Sequence, residues 1–268
     1  MGTSEGEGRT ALITGASSGI GESLAHCFAA SGHGLVLVAR RKDKLAALAK
    51  TLKAAHGVKV TVLPADLALA GAAQALAAAL QRKRMAVDVL VNNAGVLEQG
   101  AFVAMPARRH QQLIDLNVSG LTAMLASFVP PMVERGFGRV LNVASIAAFQ
   151  PVPTLATYAA TKAYVLSLTE SLAEELKGSG VTVTALCPGI TATNMLSTAQ
   201  ASSAPLGKLP AFLIGDVAAV AQQGYAACMS GDVIQVPGVV NLATLLASRA
   251  TPKWLLRRVS GALVRKLK

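Results

Sequence analysis

Three side chains stand where proton transfer could be carried out. Tyr158 and Lys162 are four residues apart, so on a helix both heads project from one face and can share one ligand. Ser145 lies thirteen residues before Tyr158, at the end of an apolar run, and could hold a substrate oxygen. A free phenol, with a pKa of about 10, is a poor acid or base at neutral pH, and moving it by about three units takes about 4 kcal/mol. The Lys162 ammonium is one source of that field. A Tyr/Lys pair at this spacing, taken alone, is usually no more than a surface contact. A serine-hydrolase reading of Ser145 fails, because Asn142-Val143-Ala144-Ser145-Ile146-Ala147 lacks the G-x-S-x-G elbow and no histidine follows it.

A second group of residues could hold a phosphate. Thr14-Gly15-Ala16-Ser17-Ser18-Gly19-Ile20-Gly21 follows the first apolar run and opens a helical pattern. Its glycines let the backbone turn tightly toward a pyrophosphate, whose charge meets free N–H groups at the helix start. The second apolar run ends in Ala39-Arg40-Arg41-Lys42. A ribose-binding acid is expected about there for NAD, about 20 residues past the glycines. Cations replace it, and a guanidinium suits a 2′-phosphate, so NADP(H) is the expected coenzyme, with Arg40 its main determinant and Arg41 beside it. Asp66, before Leu67, reads by itself as a cap of the following turn. Asn92-Asn93-Ala94-Gly95 reads, alone, as a turn at the edge where such folds bind ligands.

The elements that must position these groups alternate. Thr10–Thr14, Gly34–Ala39, Val58–Leu63, Val87–Asn92, Arg139–Ser145, Val181–Cys187 and Val233–Val236 read as strands, with alanine-rich helices between them. That pattern predicts an α/β fold in one domain, a doubly wound Rossmann-type parallel sheet of about seven strands. Residues 1–8 read as a flexible start, 9–238 as the catalytic domain and 191–215 as a substrate lid. Residues 239–268 read as a basic extension, in which Thr251-Pro252 opens an amphipathic helix.

Composition bounds the rest. With 268 residues, 52% of them hydrophobic and 15% charged, the chain is neither disordered nor a disulfide-stapled miniprotein. Cys27, Cys187 and Cys228 form no C-x-x-C pair, and the four histidines show no ligand spacing, so no metal is expected and a reducing, cytoplasmic setting fits. The start carries no signal-like apolar segment, and no run reaches the roughly 18 consecutive apolar residues of a spanning helix. Of the net charge of +11, seven cations lie in 249–268, leaving +4 for the body. The body gives no ground for a nucleic-acid partner, whereas 251–268 could touch an anionic membrane surface.

Taken in order, T-G-x-x-x-G-x-G, N-N-A-G, S-x₁₂-Y-x₃-K and Pro188-Gly189 resemble the short-chain dehydrogenase/reductase superfamily, in its single-domain branch, over about residues 9 to 236. The resemblance implies hydride exchange between a nicotinamide and a carbonyl or secondary alcohol. It makes Tyr158 the acid/base, Ser145 the holder of the substrate oxygen and Lys162 a partner of the nicotinamide ribose. It further implies that Asn117 holds a relay water, that Asp66, Leu67, Asn93, Ala94 and Gly95 line the coenzyme, and that Ile190 and Thr191 lie near the carboxamide. Thr191 also reads as a plain N-cap. Leu97, Phe149, Pro188, Met195, Leu196, Phe212 and Leu213 would make an apolar pocket for a lipophilic small-molecule substrate. Glu98 reads as a solvated loop acid or a contact for a polar substrate. A homo-oligomer through the helices of Asn117 and Tyr158 is expected. Competing readings are a dinucleotide-binding regulator without turnover, or a membrane-surface module built around the tail.

Overall fold

In the computed structural model, which describes residues 6–191, 215–238, 241 and 258, seven strands form one parallel sheet in the order β3-β2-β1-β4-β5-β6-β7. They are β1 (Thr10–Thr14), β2 (Gly34–Ala39), β3 (Val60–Pro64), β4 (Val89–Asn92), β5 (Gly138–Val143), β6 (Val181–Leu186) and β7 (Ile234–Gln235). β1 and β2 have the expected bounds; β4, β6 and β7 are trimmed at one or both ends, and β3 and β5 are shifted, β3 running on to Pro64 and β5 starting at Gly138. At β4 the reason is local: the Asp88 carboxylate accepts from Thr10 N (2.8 Å), so a side chain takes up that backbone donor just ahead of the strand.

The strands are buried on both faces, and their side chains alternate between two cores. Leu12, Val36, Val38, Leu90 and Val140 face α3 (Ala72–Arg82), α5 (Leu121–Glu134) and α6 (Ala156–Glu175). Ile13, Leu35, Leu37, Val91 and Leu141 face α1 (Gly19–Ala30), α2 (Lys42–His56) and α7 (Val217–Ser230). Because β1 is the strand from which the order runs both ways, crossovers to β2 and to β4 leave on opposite faces and open a crevice at the carboxyl ends of β1 and β4.

Two elements differ from expectation. Asn117 lies not in a regular helix but in a π-helical turn, Asp115–Gly120, joining α4 (Ala107–Ile114) to α5. The joined rod, Ala107–Glu134, is long and apolar enough to cross a bilayer by length and composition, yet Leu121, Met124, Phe128 and Met132 fill the core. At the start of the chain Gly6 is tied down, donating to Ser31 O (3.0 Å) and accepting from Arg9 N (3.0 Å), so residues 6–8 form an anchored turn rather than a flexible lead. The body of the expected lid, 192–214, lies outside the described residues, as does the tail helix apart from Arg258.

Candidate active site

The crevice floor is the turn between β1 and α1. Ser18 precedes α1 in extended conformation, and no side chain caps the helix, so its first N–H groups are free to meet an anion. Gly15 has φ +64°, and a Cβ there would lie 2.7 Å from Asn93 Nδ2. A Cβ on Gly21 would strike the same amide and lie 2.5 Å from Gly15 O. The turn can be this tight because Asn93 Nδ2 donates to Thr14 O (2.9 Å) and Gly15 O (3.3 Å). Thr14, given no role of its own by the motif, completes the junction. Its hydroxyl accepts from Asn93 N and Ala94 N (both 3.0 Å) and donates to Val91 O (3.1 Å).

At the β2 end, Arg41 Nη2 donates to Ser17 Oγ (2.9 Å), Ser18 Oγ (3.0 Å) and Ser17 O (3.3 Å). Arg40 is exposed on the same wall and has no hydrogen-bonding or ionic partner among the described residues. Asp66 caps its turn, where Oδ1 accepts from Ala68 N (3.1 Å), and also stands on the crevice wall beside Leu67.

The reacting groups sit at the opposite end. Tyr158 and Lys162 occupy one face of the first turns of α6, both buried. Lys162 Nζ donates to Val143 O (2.8 Å) and lies 5.8 Å from the Tyr158 ring centre. Burial lowers the Lys162 ammonium to about 8, which leaves it largely charged at neutral pH. The Tyr158 phenol is pushed above its ordinary value by burial, while a hydrogen bond with Ser145 acts in the opposite direction. Within the protein alone the dominant influence on the phenol is desolvation, which opposes the field expected of Lys162 together with an oxidised nicotinamide. Ser145 Oγ also accepts from Ala147 N (3.1 Å), which fixes its orientation at the head of a short 3₁₀ turn.

Asn117 stands behind this wall. Its side chain accepts from Val96 N (2.9 Å) and donates to Val96 O (2.9 Å) and to Thr161 Oγ1 (3.1 Å), and Thr161 Oγ1 in turn donates to Tyr158 O (2.7 Å). The wide π turn brings it there, and Gly95 leaves the room: a Cβ on Gly95 would lie 3.2 Å from Asn117 Oδ1 and 3.6 Å from Lys162 Nζ. Apart from Gly21 and Asn117, every residue nominated for catalysis or coenzyme binding lines one continuous crevice of about 590 Å³.

The pocket wall beside Tyr158 is revised. Leu97 and Pro188 line it, joined by Val96, Gln150, Val152 and Leu155. Phe149 instead packs on the core beneath α6, because the 3₁₀ turn Ile146–Phe149 rotates it inward. Met195, Leu196, Phe212 and Leu213 lie outside the described residues. Glu98 is neither free nor in the crevice lining; it pairs with Arg109 Nη1 at 2.7 Å. Thr191 bridges to Gly215 in parallel and its hydroxyl donates to Gly189 O (3.1 Å). Asn241 lies against Gly189, where a Cβ would meet its amide at 2.5 Å, and donates to Pro237 O (2.7 Å). No local motif marks Asn241, which is brought there only by the return of the chain after β7.

A free helix start over a glycine cradle, a cationic strand end and a Ser/Tyr/Lys group with its Tyr and Lys buried, at the far end of one crevice, define a dinucleotide-dependent oxidoreductase site. Residues 9–204 match the model of the short chain dehydrogenase family, and the chain belongs to that family. It is 37% identical over 199 residues to oxidoreductase UcpA of Salmonella typhimurium, covering 74% of this chain and 75% of that protein. A short-chain dehydrogenase from Sphingobium yanoikuyae, solved in complex with NADPH, superposes with a TM-score of 0.80 at 35% identity, over 90% of this chain and 93% of its own. A 7β-hydroxysteroid dehydrogenase superposes with a TM-score of 0.86 at 26% identity, over 97% of this chain and all of its own.

Proposed function

We infer that this oxidoreductase uses NADP(H) to reduce a lipophilic ketone, or to oxidise the corresponding secondary alcohol. The observation that carries this reading is the single crevice with Arg40 and Arg41 at one end and Ser145, Tyr158 and Lys162 among apolar side chains at the other. The residues fit the coenzyme: the uncapped start of α1 suits a pyrophosphate, Gly15 and Gly21 let the turn close tightly on Asn93 beneath it, and Arg40 is open to a 2′-phosphate. When bound, the coenzyme supplies the hydride. Solved relatives with NADPH or NADP bound support the choice of coenzyme.

The chain's own part is to orient the carbonyl and to supply a proton. Ser145 donates to the substrate oxygen and Tyr158 gives that oxygen its proton, or removes it in the oxidative direction. Lys162 stabilises the phenolate that remains and binds the nicotinamide ribose. Asn117 holds the loop at Val96 against α6 and, with its relay water, returns a proton toward Lys162. Val96, Leu97, Val152 and Leu155 favour a lipophilic body on the substrate, consistent with likeness to a hydroxysteroid dehydrogenase.

NADPH oxidation against a panel of bulky and small ketones tests this. Tyr158→Phe is expected to reduce turnover by about 10² to 10⁴ while NADPH affinity, followed by fluorescence, stays within about threefold. Near-normal turnover of that variant, or oxidation of NADH as readily as NADPH, would overturn the mechanism or the coenzyme assignment respectively.

A further inference from the structure

One side of the substrate pocket is the loop of residues 150–155, which leads straight into α6 and Tyr158. Gln150, Val152 and Leu155 line the pocket, whereas Thr154, between them, has φ +70°. A β-branched residue rarely takes that left-handed conformation, and one that does is kept there by its surroundings. The helix start does not supply the restraint. Leu155 precedes α6 with no side-chain hydrogen bond to cap it, so the turn carrying Tyr158 lacks the usual local anchor.

The restraint comes from residues 100–110. Gly100 N donates to Thr154 O (2.9 Å). His110, on α4, is half-buried, with Nδ1 2.7 Å from the hydroxyl of Thr157, the neighbour of Tyr158, and Nε2 3.3 Å from Phe102 O. A carbonyl oxygen only accepts, so Nε2 carries the hydrogen and, in the neutral ring, Nδ1 accepts from the Thr157 hydroxyl. The Phe102 ring lies against the imidazole, centres 4.3 Å apart, and fixes its plane. One turn further along α4, Leu113 is fully buried in the cluster that holds Tyr158 and Ala159. That apolar contact has no direction of its own, whereas the hydrogen bond to Thr157 does.

We propose that His110 is a positioning residue for the reaction: through the Thr157 hydroxyl it holds the first turn of α6, against the strain at Thr154, in the rotation that brings the Tyr158 hydroxyl to the substrate oxygen. The proposal rests on the reading of Tyr158 as the proton donor. Proton transfer needs the two oxygens within hydrogen-bond reach, about 3 Å, and a misplacement of about 1 Å costs about a hundredfold in rate. His110 and Thr157 are outside the crevice lining, so their loss acts on turnover rather than on binding.

Steady-state reduction of a ketone by NADPH, with the full chain and its variants, tests this. Thr157→Val keeps the shape and removes the hydroxyl; it and His110→Ala should each lower kcat by about ten- to hundredfold, with KM and NADPH affinity within about threefold. Thr157→Ser returns the hydroxyl and should restore most of kcat. In the double variant the two losses should not multiply, because both remove one hydrogen bond. The proposal is overturned if both single variants keep kcat within about twofold of the unaltered chain, or if the losses multiply. A KM that rises as far as kcat falls would also overturn it, by marking a general loosening of the pocket. Hydrogen exchange gives a readout that needs no turnover: the amides of residues 159–162 should exchange about tenfold faster in both single variants, and unchanged rates would sink the proposal. A chain that reduces no ketone contradicts the proposed reaction, and the exchange rates then still decide whether His110 holds the turn.

Discussion

At the scale of single residues, the site works by holding two ionisable groups in a dry wall with opposite consequences. Burial keeps the proton on Tyr158 and loosens the proton on Lys162. The Lys162 ammonium, lowered from 10.5 to about 8, is charged below pH 8 and progressively neutral above it. Reduction, which needs that charge beside the forming phenolate, is expected to decline as pH rises past about 8; a pH profile of kcat on a ketone checks this. Stability follows the same group with its own sign. Between about 8 and 10.5 the unfolded chain binds the proton that the folded chain has released, so Lys162 costs stability below pH 8 and the cost is relieved as pH rises through that window. The stability of the unaltered protein relative to Lys162→Met should therefore improve from pH 8 to pH 10, measured by urea denaturation. A difference that stays flat would mean that Lys162 is not depressed. The sequence reading placed Tyr158 and Lys162 correctly from their spacing, but the direction of the phenol's shift depends on desolvation, which no spacing reports.

At the scale of elements, the β1–β4 junction is the part on which coenzyme and chemistry both depend. Thr14 Oγ1 takes two backbone donors from the loop after β4, and Asn93 returns its amide to the turn after β1. Thr14→Val keeps the shape and strands two part-buried N–H groups, each at about 1 to 3 kcal/mol. We expect a loss of about 2 to 6 kcal/mol in urea unfolding and a parallel loss of NADPH affinity, both largely restored by Thr14→Ser. If Thr14→Val unfolded at the same urea concentration as the unaltered protein, the hydroxyl would not be what joins the two loops. The π turn at Asn117 makes the same point about legibility. The residues from Asp115 to Gly120 carry a helical pattern in the sequence, and only their packing against Leu67 O and the Val96 loop selects the wider turn, which adds a residue without breaking the rod.

At the scale of the whole molecule, the crevice joins the two halves of the sheet, so a ligand that fills it should stabilise the entire fold. A ligand at about 100 times its Kd contributes about 2.7 kcal/mol, which for a chain of this size raises Tm by roughly 5 to 10 °C. NADPH is expected to give such a rise and NADH a clearly smaller one at equal concentration, by thermal denaturation. Arg40→Asp should remove most of the difference. Arg41→Ala should weaken both coenzymes, because it frees the hydroxyls of Ser17 and Ser18 that Arg41 now orders. Equal shifts from both coenzymes in the unaltered protein would place the 2′-phosphate elsewhere.

The fold class, the glycine turn, the cationic end of β2 and the Ser145/Tyr158/Lys162 set were all determined by the sequence alone. Each rests on local spacing: short continuous apolar runs alternating with helical segments, glycines at a strand-to-helix turn, two side chains one helical turn apart. What tertiary structure decided is how residues distant in the chain share the work. Arg41 reaches back to Ser17 and Ser18, Thr14 serves the loop after β4, Asn241 covers Gly189, Glu98 is neutralised by Arg109, and Phe149 turns into the core while Gln150, Val152 and Leu155 face the pocket. These pairings depend on which strand ends the parallel crossovers bring together and on which side chains lose water there. Neither is encoded in any short stretch of residues, because burial and distance belong to the assembled sheet.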